Sequence, residues 1–240
     1  MNDSSSIRLG VRKRRGTGAN GWMIQCDFDG TICISDLTDS LLGRFGRPGW
    51  EILEADWEVG KIGSCECMTG QVALLDMSLM ELDAHLDALS IDPHFAAFAA
   101  VARERGILLQ VVSDGFDYAI RRALAPHGLR DLPVLANHLV QVGARSWQLR
   151  SRTASTACER ACGNCKCQHL VQQQAAHGKV LFVGDGRSDF CVAGKANFVL
   201  AKDRLIGHCR THGIAHAPFD NFGDALPLML DIVERSDVPA

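Results

Sequence analysis

The chain has 240 residues, 47% of them hydrophobic and 22% charged, with a net charge of −3. That apolar fraction supports a folded core and excludes a mainly disordered chain, and the length favours one core with a sizeable insertion over two full domains. No apolar run approaches the ~20 residues needed to span a bilayer; Phe95 to Ala102 comes nearest, and Arg103 ends it.

Residues 1–20 carry five bases (Arg8, Arg12, Lys13, Arg14, Arg15) against Asp3, which leaves the other 20 bases and 27 acids at −7. A body this acidic is a poor binder of nucleic-acid backbone. Ser, Gly and Arg without apolar periodicity predict that 1–20 is a disordered, solvated arm. It lacks the apolar stretch of a secretory signal, so the expected compartment is the reducing cytoplasm, with no membrane partner.

Trp22 to Phe28 then reads as a buried strand ending in Asp27-Phe-Asp-Gly-Thr31. Four stripes with helical spacing follow over residues 36–90, led by Leu37, Trp50, Cys67 and Leu79, with glycine-rich breaks at Gly46-Arg-Pro-Gly49 and Gly60-Lys-Ile-Gly63. A fifth helix starts at Pro93 and stops at Gly106. Trp50, Trp57, Phe95 and Phe98 are expected as packing residues. Ile107 to Val112 is a strand followed by Ser113-Asp-Gly115, then a helix over 117–127 and a hairpin of 133–141 with 146–151. After a cysteine-rich loop come a helix at 168–176, a strand from Lys179 to Val183, Gly184-Asp-Gly186 and a helix at 188–195. A strand at 197–201 and helices near 203–212 and 221–234 complete the chain.

This succession predicts an α/β fold, a Rossmann-like doubly wound parallel sheet covered on both faces. One interval is abnormal: 86 residues separate Asp27 from Ser113, whereas a βαβ step takes about 30. The surplus leaves and rejoins the sheet at the carboxyl end of the first strand, where such sheets bind ligands. A helical cap at 36–104 is therefore expected over a core of 21–35 and 105–240.

Asp27 and Asp29 leave the first strand at that edge, Ser113 a second, and Asp185 and Asp189 a third. Crowded carboxylates must be neutralised, and hard oxygen ligands with open positions suit Mg²⁺. A lysine should complete a site for a phosphoryl group. Lys179 begins its strand, about five residues at ~3.3 Å each from the aspartates, and so lies at the opposite edge. Lys166 precedes a helix whose N-terminus lies at the aspartate edge, and is the geometric choice.

Asp27-Phe-Asp-Gly-Thr31, Val112-Ser-Asp114, Lys166 and Gly184-Asp-Gly-Arg-Ser-Asp189 resemble, in order and context, the four motifs of the haloacid dehalogenase superfamily over about residues 22–235. The insertion resembles its helical C1 cap. Within the superfamily the chain looks most like the phosphoserine-phosphatase-like branch. Cys162-Gly-Asn-Cys-Lys166 and Ile62-Gly-Ser-x-Glu-Cys-Met68 look like the methionine-salvage phosphatases acting on 2-hydroxy-3-keto-5-methylthiopentenyl-1-phosphate. The resemblance implies hydrolysis of a small-molecule phosphate ester. Asp27 would attack phosphorus to form an aspartyl-phosphate, and Asp29 would protonate the leaving alcohol and then activate water. Mg²⁺ would sit among Asp27, Asp185 and the Asp29 carbonyl, with Asp189 orienting Lys166 or a water at the metal. Ser113 and Lys166 would bind phosphoryl oxygens, with Asp114 and Gly115 beside the substrate. Transfer to a hydroxyl acceptor, or a non-catalytic zinc-stabilised module, are the alternatives.

Two positions depart from the branch. Asp114 stands where many members have glycine, and Cys65 where the cap often carries an arginine; Lys61 is the nearby candidate to replace it. Cys158, Cys162, Cys165 and Cys167 remain open to three readings: ligands of structural Zn²⁺, a disulfide, or reduced thiols shaping the loop that presents Lys166.

Overall fold

Trp22–Cys26 (β1) is buried along its whole length, with Ile24 and Cys26 in one apolar cluster and Met23 in another. A strand with apolar side chains on both faces belongs in the middle of a covered sheet. In the computed structural model, which describes residues 21–151, 158 and 161–235, β1 pairs in parallel with β2 (Leu108–Phe116) and β5 (Lys179–Gly184). Beyond β2 lie β3 (Val134–Gln141), parallel, and β4 (Trp147–Arg150), antiparallel through the expected hairpin. Beyond β5 lie β6 (Phe198–Ala201) and β7 (His216–Pro218), both parallel. The order is β4-β3-β2-β1-β5-β6-β7, so the chain changes direction of travel between β1 and β5, the switch point where such sheets bind ligands. The basic tail 1–20 lies outside the described residues.

Side chains from α5 (Phe95–Glu104), α6 (Asp117–Leu124) and α10 (Phe222–Arg235) fill one face. Those from α7 (Lys166–His177), α8 (Phe190–Ala193) and α9 (Asp203–His212) fill the other. Phe95 and Phe98 meet the Phe222 ring edge-on at 4.8 and 5.0 Å, so α5 packs with α10 on the sheet.

Four helices precede it: α1 (Leu37–Phe45), α2 (Trp50–Glu58), α3 (Ser64–Ala73) and α4 (Leu79–Leu86). Asp36 caps α1 by accepting from the Asp39 amide at 2.9 Å, and Ser78 with Glu81 forms the capping box of α4. A bridge between Cys33 and Ile91 joins the two ends of the four-helix stretch. No residue of α2 is buried. Trp50 packs against the core as expected, whereas Trp57 faces a cavity.

Three further expectations are corrected. β2 runs past Val112 to Phe116 through an irregular register, so Ser113 lies within the strand and not after it. The helix expected at 188–195 is a 3₁₀ turn at Arg187–Asp189 followed by the single turn of α8. β7 has no counterpart in the sequence reading, because three residues ending in proline carry no alternation. Among the described residues, no helix is long and apolar enough to cross a membrane.

Candidate active site

Strand register brings the motifs together. Cys26 pairs with Val111 on one side and Val183 on the other, so Asp27, Ser113 and Asp185 leave adjacent strands at nearly one level, about 4.8 Å apart per strand. Gly30 takes φ +68°, and a Cβ there would collide with the Asp185 carboxylate. Thr31 Oγ1 donates to Asp185 Oδ1 at 2.9 Å, fastening the first loop to the last motif.

Lys166 is the first residue of α7 and is 2% exposed. Its ammonium donates to Asp27 Oδ2 at 2.8 Å, Asp189 Oδ1 at 2.7 Å and Ser188 Oγ at 3.0 Å. Burial opposes its charge, but Asp189 and Asp27 outweigh burial and lift its pKa. Gln25 Nε2 donates to the Lys166 carbonyl at 3.1 Å. Asn164 Nδ2 donates to the carbonyls of Ser113 at 2.9 Å and Leu135 at 2.8 Å, while Asn164 Oδ1 lies 2.8 Å from His169 Nε2. Asn164 thereby pins the lysine loop to β2 and β3. Sequence reasoning assigns Asn164 and Ser188 no role, although each lies within a quoted motif.

Asp189 is fully buried; its second oxygen accepts from the amides of Asp185 at 3.0 Å and Gly186 at 3.3 Å. Its contacts are those of a residue that orients Lys166. Carboxylate oxygens of Asp27, Asp185 and Asp189 nevertheless lie within 4.8 Å of one another, and three carboxylates against one ammonium leave an excess of two negative charges. Burial and then Asp189 hold Asp27 above the usual carboxylate range, and the same two causes push Asp185 up to about 7. A hard divalent cation among these oxygens would relieve that repulsion, so the donor set fits Mg²⁺.

The Asp29 carboxyl stands apart from that group. Its Oδ1 accepts from the Leu37 amide at 3.0 Å and its Oδ2 from Ser113 Oγ at 3.4 Å. Burial, reinforced by Asp36, pushes it up to about 8, the direction that suits a leaving-group acid. Ser113 Oγ accepts from the Gly115 amide at 2.9 Å. Asp114 Oδ2 accepts from Ser64 Oγ of α3 at 3.3 Å, while its Oδ1 is buried without a partner, and burial pushes the carboxyl up to about 6.

Asp27, Asp29, Ser113, Asp114, Gly115, Lys166 and Asp185 line one cavity of about 290 Å³. Asp39, Glu54, Trp57, Glu58 and Met68 of α1–α3 line its other wall. The Arg187 guanidinium lies 5.5 Å from the Trp57 ring centre, and Arg204 lies 3.6 Å from Glu58. Lys61 does not replace the missing arginine: it is exposed, pairs with Asp56 at 2.7 Å and lies outside the lining, as does Cys65.

The zinc reading of Cys158, Cys162, Cys165 and Cys167 gains no support. Among the described residues the single group of ligating side chains close enough to hold an ion is the aspartate set, and none of the ten cysteines is in a disulfide.

The family model of haloacid dehalogenase-like hydrolases matches residues 24–194. A 2-hydroxy-3-keto-5-methylthiopentenyl-1-phosphate phosphatase of Geobacillus kaustophilus is 31% identical over 216 residues, covering 89% of this chain and 96% of its own. The enzyme of that name from Brevibacillus brevis is 29% identical over 212 residues, covering 88% and 96%. Among solved structures, a phospho-aspartyl intermediate analogue of phosphoserine phosphatase superposes with a TM-score of 0.63 at 18% identity, covering 83% of this chain and 93% of that one.

Proposed function

Because the chain belongs to the haloacid dehalogenase-like hydrolase family, we propose that it is a Mg²⁺-dependent phosphatase that hydrolyses a small phosphate monoester through an aspartyl-phosphate on Asp27. One observation carries this reading: Asp27 meets the buried Lys166 ammonium at 2.8 Å in a cavity that Asp29, Ser113 and Asp185 also line. Mg²⁺, held by Asp27, Asp185 and the Asp29 carbonyl, would neutralise charge on the phosphoryl group. Lys166 and Ser113 hold phosphoryl oxygens while an Asp27 oxygen attacks phosphorus and the ester P–O bond breaks. Asp29 gives its proton to the leaving oxygen. As a carboxylate it then takes a proton from water, whose oxygen attacks phosphorus, releases inorganic phosphate and restores Asp27. Helices α1–α4 act as the cap, with Ser64 against Asp114 and Glu58 against Arg204 as its points of closure.

The substrate we favour is that of the curated relatives, 2-hydroxy-3-keto-5-methylthiopentenyl-1-phosphate. Its chain beyond the phosphate is uncharged and ends in a thioether, which suits Trp57 and Met68. Asp39 is held above the usual range by burial and by Glu54, so a substrate carboxylate placed beside Asp39 and Glu54 would be repelled.

The test is phosphate release from this ester, phosphoserine and p-nitrophenyl phosphate, with Mg²⁺ and with EDTA. A preference of about tenfold or more for the thioether ester over phosphoserine, lost in EDTA, supports the reading; that is about 1.4 kcal/mol of discrimination. An equal or inverse preference overturns the substrate assignment, and no release from any ester overturns the hydrolase. Phosphate appearing on added homoserine in place of water would move the assignment to phosphotransfer.

A further inference from the structure

Five cysteines gather around the loop that delivers Lys166, and the hydrolytic chemistry uses none of them. Cys162, Cys165 and Cys167 are buried in the apolar cluster on the α7–α9 face of the sheet, with Cys158 and Cys191 packed against it. Cys162 and Cys167 each hydrogen-bond to Cys191, and Cys165 to Cys158. These are pairwise contacts, and the thiols do not converge on a common point as tetrahedral metal ligands do.

The position of the contact matters. Cys191 lies two residues past Asp189, and Cys162 four residues before Lys166. The touching thiols therefore sit on the same two segments that the 2.7 Å pair of Lys166 and Asp189 joins. Cys162 also lines a small cleft of about 20 Å³ with Trp57, Ser64, Asp114 and Ser188, residues it shares with the substrate cavity. Cys162 lies in the loop that precedes α7, whereas Cys167 lies in the first turn of α7.

We propose that Cys162 and Cys191 are a reversible thiol–disulfide pair through which a low-molecular-weight disulfide switches the enzyme off. Cys191, the more accessible of the two, attacks one sulfur of RSSR as the thiolate, forming a mixed disulfide and releasing RS⁻. The Cys162 sulfur then attacks Cys191 and displaces the second RS⁻. Two protein thiols give up two electrons and two protons, and RSSR becomes two RSH. The hydrogen bond to Cys191 and burial both raise the Cys162 pKa, so thiolate is scarce at neutral pH and closure quickens as pH rises. Drawing the loop onto α8 shifts Lys166 against Asp27 and Asp189, and a misplacement of about 1 Å can lower a rate on the order of 10²-fold.

The switch rests on the proposed hydrolase; the bond itself does not. Full-length protein with Mg²⁺ is incubated with oxidised glutathione. The expected product is lighter by two hydrogens, has its Cys162 and Cys191 peptides joined, and has lost about tenfold or more of its p-nitrophenyl phosphate turnover, which dithiothreitol restores. Cys162→Ser and Cys191→Ser keep basal turnover and resist the treatment, and Cys167→Ser stays sensitive. Cys191→Ala serves if the serine variant does not fold. A bond from Cys191 to Cys167, no intramolecular bond, or a bond without loss of turnover overturns the proposal. Joined peptides in a protein that hydrolyses no ester count against the hydrolase and leave the thiol pair standing.

Discussion

Asp114→Asn should make the metal-free protein more stable, and increasingly so as pH rises. Burial moves the Asp114 carboxyl from 3.8 up to about 6 in the fold, while the unfolded chain keeps the ordinary value. The folded state therefore holds this proton more tightly than the unfolded state. The resulting stabilisation is complete below the unfolded pKa and is lost as pH rises through about 6. A gap of about 2 pH units corresponds to about 3 kcal/mol. Asparagine removes the charge and keeps an acceptor for the Ser64 hydroxyl. Its amide nitrogen, placed where Oδ1 now lacks a partner, costs about 1 kcal/mol, so about 2 kcal/mol of net gain should remain above pH 6. Urea titrations of both proteins in EDTA give the difference at each pH, which should grow by about 2 kcal/mol between about pH 4 and pH 7. A difference that stays flat across that range, or a variant less stable at neutral pH, refutes the account of Asp114.

Lys166→Met should abolish turnover and lower stability by about 3–5 kcal/mol in urea titrations, because Asp27 and Asp189 would then be buried without their partner. Asn164→Ala should cost about 2 kcal/mol by freeing the Ser113 and Leu135 carbonyls, and steady-state kinetics should show kcat falling far more than KM changes. Mg²⁺ at about 100 times its Kd should stabilise the chelated protein by about 2.7 kcal/mol in thermal melts, and Asp185→Asn should remove that response.

Asp27, Ser113 and Asp185 are legible from sequence because each closes a run of apolar strand residues, and parallel register alone then assembles them. Lys166 follows from topology, since helix N-termini lie at the aspartate edge, and it proves to be the first residue of α7. Asn164 is not legible: its partners Ser113 and Leu135 lie on different strands, and nothing local marks the contact. The cap wall is hidden for another reason. Amphipathic spacing shows that α2 has an apolar stripe, but not that Trp57 faces the site instead of the core, nor that Glu54 and Glu58 border a cavity instead of water. The same limit applies to Arg187 and Arg204, whose partners lie across the cavity.

That Asp27 takes the phosphoryl group is tested most directly by stopping the reaction after its first step. In Asp29→Asn the base that activates water is gone, while p-nitrophenyl phosphate has a leaving group that needs no acid. Acid-quenched Asp29→Asn protein should carry one phosphate on the peptide containing Asp27, and Asp27→Asn protein should carry none and turn over nothing. Undiminished turnover by Asp27→Asn, or no phosphate on the Asp27 peptide of Asp29→Asn, would contradict it.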